Sequence, residues 1–247
     1  MISQDFIERI YPEIRFGGFS RADGSIPFFA RAHALAENAK VVLEIGCGRG
    51  KAHEDPASYR RKLHDFRAPG RKVIGIDVDP VASTNPWIDE FRRIGSDFKW
   101  PVEDASVDFA LSDYVLEHVG DPEAYFAELR RVLKPGGVFI ARTPSKHSYI
   151  AVAARIVPNS LHARVLGKAQ IGRKEEDVFP TVYRANSKRQ LKRLLRGAEL
   201  EGTVYSLECE PWYMTFSRVS FGVMSVVHRY LPGFLHSTLI VLARKPA

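Results

Sequence analysis

The stretch VVLEIGCGRG, Val41 to Gly50, sets an apolar run directly against three glycines at every second position. Glycine loses more backbone freedom on folding than any other residue, so three of them within five positions need a structural use. A strand ending in a tight turn provides one. Val41 to Gly46 reads as a buried strand, and Gly46, Gly48 and Gly50 then let the backbone take torsions closed to other residues and come close to a ligand. Dinucleotide-binding loops use such glycines as G-x-G-x-x-G. Here the third small position of that pattern falls on Lys51, which would spoil close packing of helix on strand, so a pyrophosphate loop is a poor fit. The spacing is instead acid-x-G-x-G-x-G, led by Glu44.

Outward from this loop, strands alternate with helices. KVIGIDV (72–78), VDFALSDY (107–114) and VFIART (138–143) read as further buried strands, and STLIVLARK closes the chain as another. A helix carrying Leu63 and Phe66 is expected after Pro56. DPEAYFAELRRVLKPGG is a well-marked helix, with Asp121 as cap, Pro122 in the first turn and Gly136 near its stop. Helices are also expected from about Pro27 to Asn38 and over 187–197, the latter with Ser187 as cap and Leu191, Leu194 and Leu195 on one face. Continuous apolar strands separated by helices imply a mostly parallel sheet covered on both faces, the doubly wound α/β class.

Bulk composition excludes several alternatives. The 247 residues suffice for one large domain, and 45% apolar with 26% charged residues is ordinary for a globular chain. Cys47 and Cys209 cannot make a disulfide framework, which fits a reducing, cytoplasmic setting. The opening MISQDFIERI has an early acid and no apolar h-region, so no signal peptide is expected, and no apolar run approaches the ~18 residues of a membrane span. The net charge of +7 admits anionic partners without choosing among them. The cations over 184–196 read as the solvated face of a helix. The aromatics that would stack bases do not interleave with them, so nucleic acid is not the expected partner.

At this point the sequence resembles the class I S-adenosylmethionine (SAM)-dependent methyltransferases, over about residues 40–145. The resemblance rests on the glycine loop with Glu44, on VIGIDVDP with Asp77 at a strand end, and on WPVEDASVDFALSDYVLEHVGDPEAYFAELRRVLKPGG. It implies a Rossmann-like sheet with an antiparallel C-terminal strand, and SAM as cofactor. Glu44 would face the cationic amino-acid end of SAM, Asp77 the ribose hydroxyls, and the backbone of Gly46, Cys47, Gly48 and Gly50 would line the loop. Val78, Ser112 and Asp113 would complete the site. Ser96, Asp97 and Phe98 hold the place where the family meets the adenine, with the usual acid displaced by one position. The domain division implied is an N-terminal extension (1–40) packing on the core, then a methyltransferase domain (41–247) with cap insertions at about 145–185 and 211–236.

Methyl transfer from a sulfonium needs alignment more than acid–base chemistry, so a conspicuous catalytic dyad is not required. His118 is the candidate base, and no metal is expected. Arg142, His147 and Tyr149 follow the fifth strand of the family pattern and are expected on the acceptor rim. No N-P-P-[YF] motif ends the fourth strand, which disfavours a planar amide or base nitrogen as acceptor. The segment PWYMTFSRVSFGVMSVVHRYLPGFLH is apolar, with cations at its edges. It points to a greasy acceptor, small-molecule or lipid- or glycan-linked, methylated on oxygen, and to peripheral contact with a membrane surface. Residues His53, Glu54 and Asp55 read as a solvated loop, and the oligomeric state is not legible.

Overall fold

The computed structural model describes residues 2–50, 58–149, 151, 180–211, 214, 215 and 217–247. The expectations for His53–Asp55, and for most of the 145–185 cap, lie outside the described residues. Seven strands form one sheet: β1 (Val41–Ile45), β2 (Lys72–Asp77), β3 (Glu90–Arg93), β4 (Val107–Asp113), β5 (Leu133–Pro144), β6 (Glu201–Leu207) and β7 (Thr238–Arg244). Their order is β3-β2-β1-β4-β5-β7-β6. The pairs from β3 through β5 are parallel, and β7 runs antiparallel to both of its neighbours. This is the Rossmann-like α/β fold that the sequence implies. Chain order reverses between β1 and β4, so a crevice opens beyond their carboxyl ends.

Among the described residues the α-helices are α1 (Gln4–Ile10), α2 (Ser25–Leu35), α3 (Ser58–Lys62), α4 (Pro122–Val132), α5 (Lys188–Gly197) and α6 (Arg218–Val227). Capping sets their starts. Asp121 accepts from Glu123 N and Ala124 N at the head of α4, and Ser187 accepts from Gln190 N at the head of α5. Helix α2 begins two residues before Pro27, because Asp23 Oδ1 accepts from Ser25 N (2.7 Å) and Ile26 N (3.0 Å). The other oxygen of Asp23 holds Arg60 of α3 at 2.6 Å.

Strand alternation then divides the side chains between two cores. Leu43, Ile45, Ile74 and Ile76 join Phe126 and Leu129 of α4 and Leu191 of α5 on one face. Val42, Val73, Phe109, Leu111 and Ile140 join Phe28 and Phe29 of α2 and Phe66 on the other. By the same period of two, Glu44, Asp77, Asp113 and Arg142 belong to the α2 face, and Ser112 to the α4 face. A third, smaller core puts Phe221 of α6 edge-on to Phe6 (6.5 Å between centroids) and Tyr11 (6.4 Å).

Two strands escape sequence reading. Edge strand β3, EFRR, lacks an apolar face. Its Glu90 is held by Lys72 (2.5 Å) and Arg92 (2.6 Å), which draw the carboxyl pKa down to about 2. Such charges blunt a sheet edge. Strand β6 forms the opposite edge and buries one core residue, Val204.

Candidate active site

The turn after β1 has all three glycines at positive φ: Gly46 at +66°, Gly48 at +50° and Gly50 at +67°. Space distinguishes them. A Cβ on Gly46 would lie 2.4 Å from Val115, and one on Gly50 would lie 2.3 Å from Asn85. A Cβ on Gly48 would meet nothing within 4 Å among the described residues. The loop is therefore pinned at both ends and open in the middle. Several bonds fix it there. Gly46 N donates to Ile76 O (2.8 Å), Asn85 Nδ2 to the Cys47 carbonyl (2.8 Å), and Trp87 Nε1 to the Gly50 carbonyl (3.1 Å). Sequence reasoning missed Asn85 and Trp87, whose sole signal is the Asn-Pro turn between them.

Three carboxylates converge on this opening, and two of them are already satisfied. Asp77 Oδ2 accepts from Gly48 N (2.9 Å) and its Oδ1 from Asp79 N (2.9 Å). Asp113 is gripped in bidentate fashion by Arg142, with Nη2 at 2.8 Å from Oδ2 and Nε on the other oxygen. Glu44 is half-buried and has no hydrogen-bond or ion-pair partner among the described residues. Burial, followed by the charges of Asp113 and Asp77, pushes its pKa up to about 8. An unpaired acid beside two others, under an open glycine backbone, is incomplete without a cation. The chemistry suits a cationic ligand without phosphate, which fits the sulfonium and ammonium of SAM.

The remaining candidates lie as follows. Val78 is exposed at the end of β2. Ser96, Asp97 and Phe98 form an exposed turn after β3, with Phe98 at φ +56° and 68% exposed, and with Asp97 accepting from Lys99 N (3.3 Å). The Ser112 side chain is buried on the other face of the sheet beside the Tyr125 hydroxyl, so it can offer the crevice only backbone. The Cys47 thiol is buried against Gly75, and burial raises its pKa, so it packs and does not ionise.

On the acceptor side, His118 Nδ1 lies 3.0 Å from Pro180 O. A carbonyl can only accept, so Nδ1 carries the proton and Nε2 is the basic nitrogen. The adjacent Glu117 is buried, accepts from Thr143 Oγ1 (3.0 Å), and has its pKa raised by desolvation. Asn186 completes that network by donating to Thr143 Oγ1 (2.8 Å).

Arg142 does not stand on an open rim. It is 7% exposed, bonded to Asp113 and to Ser25 Oγ (3.1 Å), and packed against the rings of Phe28 (4.8 Å) and Tyr114 (4.9 Å). Burial works against its charge and Asp113 restores it, so its pKa is raised. Arg142 thus locks α2 onto the strand ends. His147 is exposed, and the Tyr149 ring sits edge-on to His228 at 5.0 Å. His228 Nδ1 in turn reaches the Cys209 carbonyl (2.7 Å) and lies 3.4 Å from Glu208.

Comparison with known proteins meets this geometry. A family model described as a methyltransferase domain matches residues 43–141, from the middle of β1 to the end of β5. Over residues 43–141 the chain is thus similar to methyltransferase domains. Among curated relatives, a protein of Mycolicibacterium smegmatis named as a probable SAM-dependent methyltransferase is 35% identical over 146 residues, 57% of this chain and 51% of its own length. A ubiquinone biosynthesis O-methyltransferase of Cereibacter sphaeroides is 32% identical over 116 residues, 43% of this chain and 42% of its own. The match thus spans about half, or less, of these relatives. A solved SAM-dependent methyltransferase of Archaeoglobus fulgidus superposes over 98% of this chain and 100% of its own, with a TM-score of 0.52 at 18% identity. That likeness concerns the fold.

Proposed function

We propose that this chain transfers a methyl group from SAM to an oxygen atom of a small-molecule, lipid- or glycan-linked acceptor. The observation that carries the reading is the unpartnered Glu44 carboxylate beneath the open backbone of Gly48. Glu44 would face the cationic amino-acid end of the cofactor. Asp77 retains lone pairs for the ribose hydroxyls while it holds Gly48. The backbone of Gly46, Cys47, Gly48 and Gly50, with Val78, would line the cofactor. Asp113 and the backbone of Ser112 would border the methyl-bearing end, and the turn of Ser96, Asp97 and Phe98 would flank the adenine.

Bound SAM supplies a methyl group on a sulfonium, with a neutral thioether as leaving group. The protein's work is to align the acceptor and exclude water. If the acceptor hydroxyl must lose its proton, Nε2 of His118 is the nitrogen able to take it. His147 and Tyr149 stand beyond β5, where an acceptor would enter, while Arg142 shapes the site from beneath. Oxygen as the accepting atom draws support from the ubiquinone biosynthesis O-methyltransferase among the relatives.

The test is incubation with methyl-labelled SAM and a cell extract, followed by separation into lipid, small-molecule, protein and RNA pools. Label in the lipid or small-molecule pool, stable to acid as an ether is, supports the reading. Label in RNA would replace it. SAM binding by calorimetry with no label in any pool would leave a SAM-binding protein without transferase activity.

A further inference from the structure

We propose that the exposed face of α6 and the turn after it dock the protein onto an anionic phospholipid bilayer. Val219, Val223, Val226 and Tyr230 follow one another at intervals of four, three and four residues, so they share one helical face. All four are 55–78% exposed, and Phe234 on the following turn is 69% exposed. The opposite side of the helix is spent on Phe221, fully buried against Phe6 and Tyr11. This helix is therefore amphipathic the wrong way round for a merely structural element: its inner contact is one aromatic ring, and its longer apolar stripe faces outward.

Charge selects the occupant. From Pro211 to Ala247 the chain has no Asp or Glu. Arg218 and Arg229 stand at the two ends of the stripe, roughly 16 Å apart at helical rise; Arg218 lies over the Phe6 ring (5.7 Å), and neither has an ion-pair partner among the described residues. Of the acids on the neighbouring α1, Glu8 is bonded to Arg15, and Asp5 is exposed. An apolar stripe bracketed by unpaired arginines, with an interfacial tyrosine at one end, matches the headgroup region of an anionic leaflet. At ten residues, α6 is far too short to cross a bilayer, and among the described residues no helix is long and apolar enough to do so.

The stripe also lies on the acceptor side. His228, at the end of α6, touches Tyr149 just past β5, and its ring nitrogen is held by the Cys209 carbonyl. Docking by this face would set the acceptor rim against the lipid, so that an amphiphilic acceptor enters from the leaflet. Docking itself does not depend on methyl transfer. The link to an amphiphilic acceptor rests on the function proposed above.

The experiment is sedimentation of the full chain with vesicles of phosphatidylcholine alone or mixed with phosphatidylglycerol, at low and high salt. Circular dichroism on the same preparations confirms folding, and SAM calorimetry reports cofactor binding separately. The expected result is binding to the anionic vesicles that weakens with salt and falls by about tenfold or more in a Val223→Asp/Val226→Asp variant with unchanged SAM affinity. The proposal is overturned if wild-type protein that binds SAM stays in the supernatant, or if the variant binds vesicles as well as wild type. It is also overturned if sedimentation velocity shows a dimer that the variant dissociates, which would assign the stripe to a second copy. A wild-type chain that binds vesicles but not SAM would sink the methyltransferase reading and leave the docking standing.

Discussion

The glycine turn after β1 and the exposed face of α6 are both unfinished surfaces, but they are unfinished in opposite ways. The turn presents a concave, acidic opening in which Asp77 and Asp113 are satisfied and Glu44 is not. The helix presents a convex, apolar stripe without a carboxylate. The first is completed by a small cation held from several sides, and the second by an extended surface. A small ligand of fixed charge dictates its own lining, so the cofactor half is made of short, recurrent sequence signals. A surface contact requires only apolar area and a sign of charge.

Arg142 tests the first half most severely. It is the buried ion-pair partner of Asp113, whose carboxylate lies beside Glu44 and Asp77. Replacing it with Met keeps the volume and strands the carboxylate, so urea unfolding should show a loss of about 3–5 kcal/mol. A loss under ~1 kcal/mol would mean that the acidic cluster tolerates itself without the guanidinium.

Next in size is the opening at Gly48. A Cβ there meets nothing within 4 Å among the described residues, so Gly48→Arg should cost the fold chiefly the strain of its φ of +50°, about 1 kcal/mol. Its side chain would nonetheless fill the crevice and repel a cation, and SAM affinity by calorimetry should fall by roughly a hundredfold or more. Equal affinity would put the cofactor elsewhere.

Glu44 gives a pH signature. Its pKa in the free protein is raised to about 8 from an ordinary 4.5. Between those values the folded chain holds a proton that the unfolded chain has released, so this group's contribution to stability is present below about pH 4.5 and is lost as pH rises to about 8. Glu44→Gln should flatten that part of the profile. A cationic ligand requires the ionised form, so binding near neutral pH should release a proton. Below about pH 8, the affinity advantage of wild type over Glu44→Gln should shrink by up to about tenfold per unit. Calorimetry in buffers of different ionisation enthalpy measures the proton directly.

Much of the first half is written in short local patterns. The strand-turn junction at Gly46, the capped helix at Asp121 and the acid ending β2 each need only neighbouring residues to be recognised. Arg142 shows where such reading stops. From sequence it is a cation after a strand, suited to an acceptor rim. In the fold, the parallel register sets it opposite Asp113, 29 positions earlier, and α2 closes over it with Phe28 and Phe29. Asn85 and Trp87 are hidden for the same reason, since their partners are loop carbonyls 38 and 37 residues away. Strand β3 could not be recognised because an edge strand needs no apolar face. The stripe on α6 was legible as composition, but which of its residues face outward depends on Phe221 being claimed by α1.

The smallest expected effect separates the two regions by making one substitution in each. Val42 lies on β1, wholly buried on the same face as Glu44, whereas Val226 is 60% exposed on the α6 stripe. Val→Thr changes a methyl to a hydroxyl at nearly constant volume. At Val42 the hydroxyl enters an apolar core, and thermal unfolding should report a loss of about 1–3 kcal/mol. At Val226 it enters water, and the same measurement should stay within ~0.5 kcal/mol, with SAM affinity unchanged. Only partition onto anionic vesicles should respond, weakening several-fold because one apolar contact with the interface is lost. If Val226→Thr destabilised the fold as much as Val42→Thr, the valine would be structural, and the outward stripe would be part of the core that α1 and α6 share.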